Sequence, residues 1–119
     1  MAIKLFDSEL KVMEVLWDRG DLTAKELAGI LGEEIGWNVN TTYTVIKKCV
    51  AKGAIQRMEP RFHCHPLVTR EEVRQYEAAA LVDKVFDGSP SLLFASLLEG
   101  KKLPQEELER LRRMVEELK

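Results

Sequence analysis

Between Asn38 and Lys52 the chain sets two unlike surfaces on what reads as one helix. Wound at about 100° per residue, Val39, Thr42, Tyr43, Ile46, Cys49 and Val50 share one side. Asn40, Thr41, Thr44 and Lys48 share the other, with Lys47 and Lys52 at its edges. The first side needs a core and the second needs water or a polar partner, so this helix must lie on the surface of a small fold. Asn38 is placed to cap its start, and Gly53 stands where a left-handed residue closes a helix.

Two amphipathic helices precede it. Leu10, Met13, Leu16 and Trp17 recur at three- and four-residue steps, with Asp7 or Ser8 as cap and Gly20 as stop. Trp17 reads as core. Thr23-Ala24-Lys25-Glu26 is a capping box, opening a helix that carries Leu27, Ile30 and Leu31 and is punctuated by Gly32 and Gly36. Asp21-Leu22 just before it suits a short strand. After Gly53, Ala54–Met58 and Phe62–Pro66 flank Glu59-Pro60-Arg61, the pattern of a short hairpin.

The remainder reads as three more helices. Thr69-Arg70-Glu71-Glu72 is a second capping box, followed by the stripe Val73, Tyr76, Leu81, Val82, Val85 and Phe86. Gly88-Ser89-Pro90 breaks it, and Ser89 can cap a short apolar helix that ends at Gly100. Pro104 suits a first helical position. The last helix then carries Leu108, Leu111, Val115 and Leu118 in an a/d rhythm.

The charge distribution narrows the function. The chain of 119 residues has a formal net charge of −2. From Asn38 to His65, however, Lys47, Lys48, Lys52, Arg57 and Arg61 face Glu59 alone, a local balance of +4. A basic middle in an acidic chain suits a protein that meets a polyanion with one face. No apolar run is long enough for a bilayer and the N-terminus lacks the pattern of a signal peptide, so the cytoplasm is the expected location. No Ser/His/Asp set, phosphate-binding glycine loop or His-Glu-x-x-His occurs, so an enzyme is not expected, nor a cofactor.

Helix, helix, helix, hairpin and three further helices describe a mainly α protein: a winged helix-turn-helix domain over 1–67 and a helical dimerisation domain over 68–119. The helix after Trp37 would enter the major groove. Asn40, Thr41 and Thr44 would face bases, since an asparagine amide matches an adenine edge and threonine methyls pack on thymine methyls. Lys47, Lys48, Lys52, Arg57 and Arg61 would meet phosphates. Three helices over roughly fifty residues rarely bury enough surface to stand alone. Val73, Tyr76, Leu81, Val85, Phe86, Leu93, Leu97, Leu108, Leu111, Val115 and Leu118 are therefore expected to build a homodimer, presenting two recognition helices to two half-sites.

Two other readings stay open. His63-Cys64-His65, with Cys49 elsewhere, offers metal-ligating types for a metal- or redox-responsive regulator. Strand alternation sends Cys64 to the side opposite the two histidines, which favours the cysteines as small apolar packers, the histidines as wing-surface or phosphate-contacting groups, and no bound metal. A winged-helix module used only for protein contacts is the other reading, and it would lack salt-dependent affinity for duplex DNA.

Three stretches resemble one known family. Glu9-Leu10-Lys11-Val12-Met13-Glu14-Val15-Leu16-Trp17 resembles the first helix of the penicillinase-repressor family, the BlaI, MecI and CopY group. Trp37-Asn38-Val39-Asn40-Thr41-Thr42-Tyr43-Thr44 resembles the opening of its recognition helix, and Lys52-Gly53-Ala54-Ile55 its passage into the wing. The resemblance implies a homodimeric repressor of inverted-repeat operators, often with a TACA/TGTA core, with Thr41 and Thr44 near the bases and Lys48 where an arginine or lysine is common. It implies, for antibiotic-responsive members, inactivation by a membrane sensor protease that cuts an Asn-Phe bond; the aligned pair in this chain is Ser96-Leu97. This chain departs from the family at the wing tip, where Glu59-Pro60-Arg61 replaces a glycine-bearing turn. It departs again at Cys49 and Cys64, where leucine and an aromatic residue are frequent. The paired Cys-x-Cys motifs of copper-responsive members have no counterpart after Cys64.

Overall fold

The computed structural model describes residues 3–118. In chain order these form α1 (Asp7–Arg19), β1 (Leu22–Thr23), α2 (Ala24–Ile35), α3 (Val39–Lys52), β2 (Ile55–Met58), β3 (His63–Pro66), α4 (Arg70–Val85), α5 (Pro90–Glu99) and α6 (Gln105–Glu117). The chain divides into two compact units, Met1–Glu77 and Ala78–Lys119.

In the first unit α1, α2 and α3 pack on a sheet of order β1-β3-β2 with both pairings antiparallel. Val12, Met13, Leu16, Leu27, Leu31, Ile46, Cys49, Ile55 and Cys64 fill the core. Trp17 is only partly buried against it, and its indole N–H donates to the Val68 carbonyl at 2.9 Å. Val68 and Val73 are themselves buried in this core, so packing carries the first unit beyond residue 67 and into the first turns of α4. The Thr23–Glu26 and Thr69–Glu72 boxes form in both directions, at 2.9 and 3.1 Å and at 2.8 and 3.0 Å. Gly36 and Gly53 close α2 and α3 at φ 73° and 83°, a conformation that suits glycine.

Three local expectations are corrected. The residue that opens α1 is Phe6, not Asp7 or Ser8; its N–H donates to the Glu9 carboxylate at 2.7 Å, and that carboxylate is drawn inward by a lysine described below. The buried strip of α3 is centred on Thr42, Val45, Ile46 and Cys49. Tyr43 and Val50 lie half-buried at its rim, and Val39, in the first turn, is 57% exposed. Pro104 precedes α6 as its cap rather than starting it.

Thr42 is fully buried, and its hydroxyl has no hydrogen-bond partner among the described residues. An unsatisfied buried hydroxyl costs stability that a methyl of similar size does not. Thr42→Val is therefore expected to raise stability by about 1 kcal/mol, measured as a shifted urea midpoint at unchanged slope; a loss of stability would mean that the hydroxyl is satisfied.

The two thiols are free and buried in the same core. Burial pushes Cys49 up to about 12 and Cys64 up to about 11. At pH 8 the folded protein should take up almost no iodoacetamide, because burial hides both thiols and depresses their thiolate fractions by roughly a hundredfold or more. Both cysteines should label once the chain is denatured, as intact-mass spectrometry would read.

The second unit lacks a comparable interior. Neither α5 nor α6 has a buried residue. Ser89 caps α5 through the Leu92 N–H at 3.3 Å, as its position suggests. Phe94, Leu108, Leu111, Met114, Val115 and Leu118 line an open apolar groove of about 840 Å³. Leu81 and Val85 on α4 and Leu92 and Leu98 on α5 are also exposed. No helix among the described residues is long and apolar enough to cross a membrane.

Candidate nucleic-acid interface

The outer face of α3 is built from its first turn. Asn38 accepts the Asn40 N–H at 2.7 Å, which engages the Asn38 side chain and leaves that of Asn40 outside the cap. Thr42 and Ile46, buried beneath, turn Asn40, Thr41 and Thr44 outward, and all three are exposed. Lys47 and Lys48 are exposed on the next turn and join no salt bridge among the described residues.

The other cations expected at phosphates divide sharply. Lys52 is only half exposed, and its ammonium is already engaged. It lies 2.9 Å from the Lys4 carbonyl, 2.5 Å from the Glu9 carboxylate and 4.1 Å from the centre of the Phe6 ring. Glu9 is 1% exposed, so the pair ties the end of α3 to the start of α1. Arg57 stacks 3.7 Å over Phe62 and donates to Glu59 at 2.6 Å, which stiffens the wing and offsets its charge. That guanidinium, with the Phe62 N–H, holds the Glu59 carboxyl below its usual range. Arg61, at the wing tip with φ 68°, is exposed.

Antiparallel pairing of β1 with β3 places Thr23 opposite His63. The Ala24 N–H donates to the Phe62 carbonyl at 2.9 Å. The first turn of α2 is thereby brought beside the wing, and an open groove of about 840 Å³ forms where Lys25, Tyr43, Arg61 and His63 meet. Sequence reasoning reached Arg61 and the histidines but not Lys25 or Tyr43. Lys25 is hidden inside an ordinary capping box, and Tyr43 falls on the apolar side of the wheel.

The wing histidines do not cooperate as ligands. His63 Nδ1 bonds the Pro60 carbonyl at 2.9 Å, His65 Nδ1 bonds Asp21 at 2.9 Å, and Cys64 is buried between them. Among the described residues no three of His, Cys, Asp and Glu come together. Of the residues expected in a dimer contact, Val73 belongs to the first unit's core and has no surface to offer. Leu81, Val85, Val115 and Leu118 are exposed, while Tyr76, Phe86, Leu93, Leu97, Leu108 and Leu111 are half-buried. Ser96-Leu97 lies within the helical turns of α5, so a protease would have to unwind that helix to reach the bond.

Three helices with an exposed polar recognition face and a two-stranded wing define a winged helix-turn-helix protein. The solved DNA-binding domain of the repressor BlaI shares this fold, with a TM-score of 0.55 at 23% identity over 60% of this chain and 90% of that one. Bacillus licheniformis BlaI, solved as a monomer in complex with the blaP half-operator, superposes with a TM-score of 0.52 at 24% identity, over the same shares. The chain belongs to the penicillinase repressor family, whose model matches residues 5–117. It is similar to the penicillinase repressor of Bacillus licheniformis, 24% identical over 98% of this chain and 92% of that protein. It is also similar to the methicillin resistance regulatory protein MecI of Staphylococcus aureus (strain N315), 24% identical over 94% of this chain and 93% of that one.

Proposed function

We propose that this chain is a cytoplasmic transcriptional repressor that grips an inverted-repeat operator as a homodimer. The observation that carries the reading is the outward face of α3, where Asn40, Thr41 and Thr44 stand exposed beside Lys47 and Lys48, two lysines without a salt-bridge partner among the described residues. Such a face offers donors, acceptors and methyls to base edges and point charges to phosphates. The likeness to a BlaI monomer on a half-operator supports placing α3 in the major groove. The apolar groove of the second unit supports pairing of two chains, since a patch of that kind on a soluble protein marks an interaction surface. Lys52 and Arg57 serve the fold of the first unit, and the phosphate contacts fall to Lys47, Lys48 and Arg61.

Selection of genomic fragments on the purified protein at two salt concentrations tests this directly. An enriched palindrome, with half-sites spaced for one face of the duplex and affinity falling steeply with salt, is the expected result. On the recovered operator, Lys48→Ala should weaken all sequences alike, whereas Asn40→Ala or Thr44→Ala should narrow the gap between operator and mismatched duplex by about 1–3 kcal/mol. Uniform binding at both salts would instead favour a protein-contact module.

A further inference from the structure

The groove beside the wing contains more charge than the fold needs. Lys25, Arg57 and Arg61 line it against Glu26 and Glu59, which leaves a formal +1 with His63 neutral. Both carboxylates are already held. Glu26 accepts the Thr23 N–H at 2.9 Å, and this bond is the main reason its carboxyl stays below the usual range. Glu59 accepts from Arg57 at 2.6 Å. The Arg57–Glu59 pair cancels itself, and the Glu26 carboxylate sits at the positive end of α2, which offsets it in part. Lys25 and Arg61 join no salt bridge among the described residues. Tyr43 stands edge-on to Phe62 with ring centres 6.1 Å apart, and its hydroxyl forms no hydrogen bond among the described residues. On the wheel of α3, Tyr43 lies next to Asn40 and Lys47, so the groove opens alongside the face proposed to meet bases.

The geometry points to a seat for one backbone phosphodiester in this groove, held by the Lys25 ammonium, the Arg61 guanidinium and the Tyr43 hydroxyl. The inference rests on the DNA-binding reading and sharpens it: the short wing grips through its base, together with α2 and α3. A phosphodiester monoanion matches the net +1 of the groove. A positively charged fork and a hydroxyl donor suit its two free oxygens. Because three elements supply the ligands, the seat also fixes how far α3 sinks into the major groove.

The test uses the full chain and its selected operator. Lys25→Ala and Arg61→Ala should each lower affinity about five- to tenfold near 0.15 M salt and flatten the plot of log affinity against log salt, and the double variant should flatten it by about 1.8, the value of one neutralised phosphate in each of two half-sites. Tyr43→Phe should lower affinity about threefold with the slope kept. Single methylphosphonate substitutions, which remove the charge of one phosphate at a time, should identify one position per half-site that weakens the wild type but leaves the doubly substituted Lys25→Ala/Arg61→Ala protein unaffected. Each protein serves as its own reference in this arm, so a difference in basal affinity or folded fraction between wild type and variant cancels. Variants that keep the wild-type slope, or a double variant that loses the same factor as wild type at every methylphosphonate position, overturn the seat while leaving DNA binding intact. Inorganic phosphate that raises the thermal midpoint without any methylphosphonate coupling also overturns it, as a site for a free anion. A wild-type chain that binds no duplex removes the DNA-binding reading and the seat with it.

Discussion

Leu111→Asp and Val115→Asp, separately or together, are expected to abolish the proposed homodimer and to lower operator affinity by about a hundredfold or more. Leu111 and Val115 line the apolar groove of the second unit, and neither α5 nor α6 buries a residue of its own. A carboxylate set into a surface that must be dry in a dimer leaves a buried unpaired charge, which association cannot tolerate. Losing the partner removes the second half-site contact, and with it the gain in effective concentration that makes a weak half-site grip useful. Sedimentation velocity and operator titration on the same samples read both effects, with circular dichroism confirming that helix content persists. A variant that stays dimeric places the contact elsewhere. A monomer that keeps full operator affinity would remove the dimer from the proposed function.

The second large effect is expected at Lys52, on stability rather than on DNA. Lys52→Met should destabilise the first unit by about 2–3 kcal/mol, because it strands the Glu9 carboxylate in the core with little beyond the Phe6 N–H to compensate it. The double replacement Glu9→Met, Lys52→Met should restore most of that loss, since exchanging both members of a buried pair for apolar groups is often near neutral. Chemical denaturation of the two variants and the wild type measures the difference. Operator affinity per folded molecule should stay within about twofold of wild type, because the ammonium is already bound to its own chain. A phosphate-contacting Lys52 would show the opposite pattern, with stability unchanged and affinity lost.

The contrast between Lys47, Lys48 and Lys52 shows where local pattern stops being informative. All three lie on or beside the polar side of one helical wheel, and charge alone cannot rank them. Lys47 and Lys48 have solvent in front of them, while Lys52 has the N-terminal turn of α1. The same limit applies to Arg57 and Arg61, four residues apart in one hairpin. The first stacks on Phe62 and pairs with Glu59, whereas the second stands exposed at the tip.

Local chemistry sufficed at most helix ends, where the partners are neighbours in the chain; the start of α1, opened by Phe6, is the exception. Thr23 with Glu26, Thr69 with Glu72, Ser89 with Leu92, and Gly53 after Lys52 announce their helix ends because each contact spans only a few residues. The outward set Asn40, Thr41 and Thr44 is equally legible, since helical periodicity alone separates it from Ile46 and Cys49. Tertiary structure decided what depends on distant elements. Glu9 became Lys52's buried partner because α1 and α3 bring together residues 43 apart in sequence. Val73 joined the first unit's core although its stripe continues toward exposed Leu81 and Val85. Lys25 came to face the wing only because β1 pairs with β3. Sequence spacing sets which way a side chain leaves its own helix or strand; what waits for it there is set by packing, because burial is a property of the assembled core.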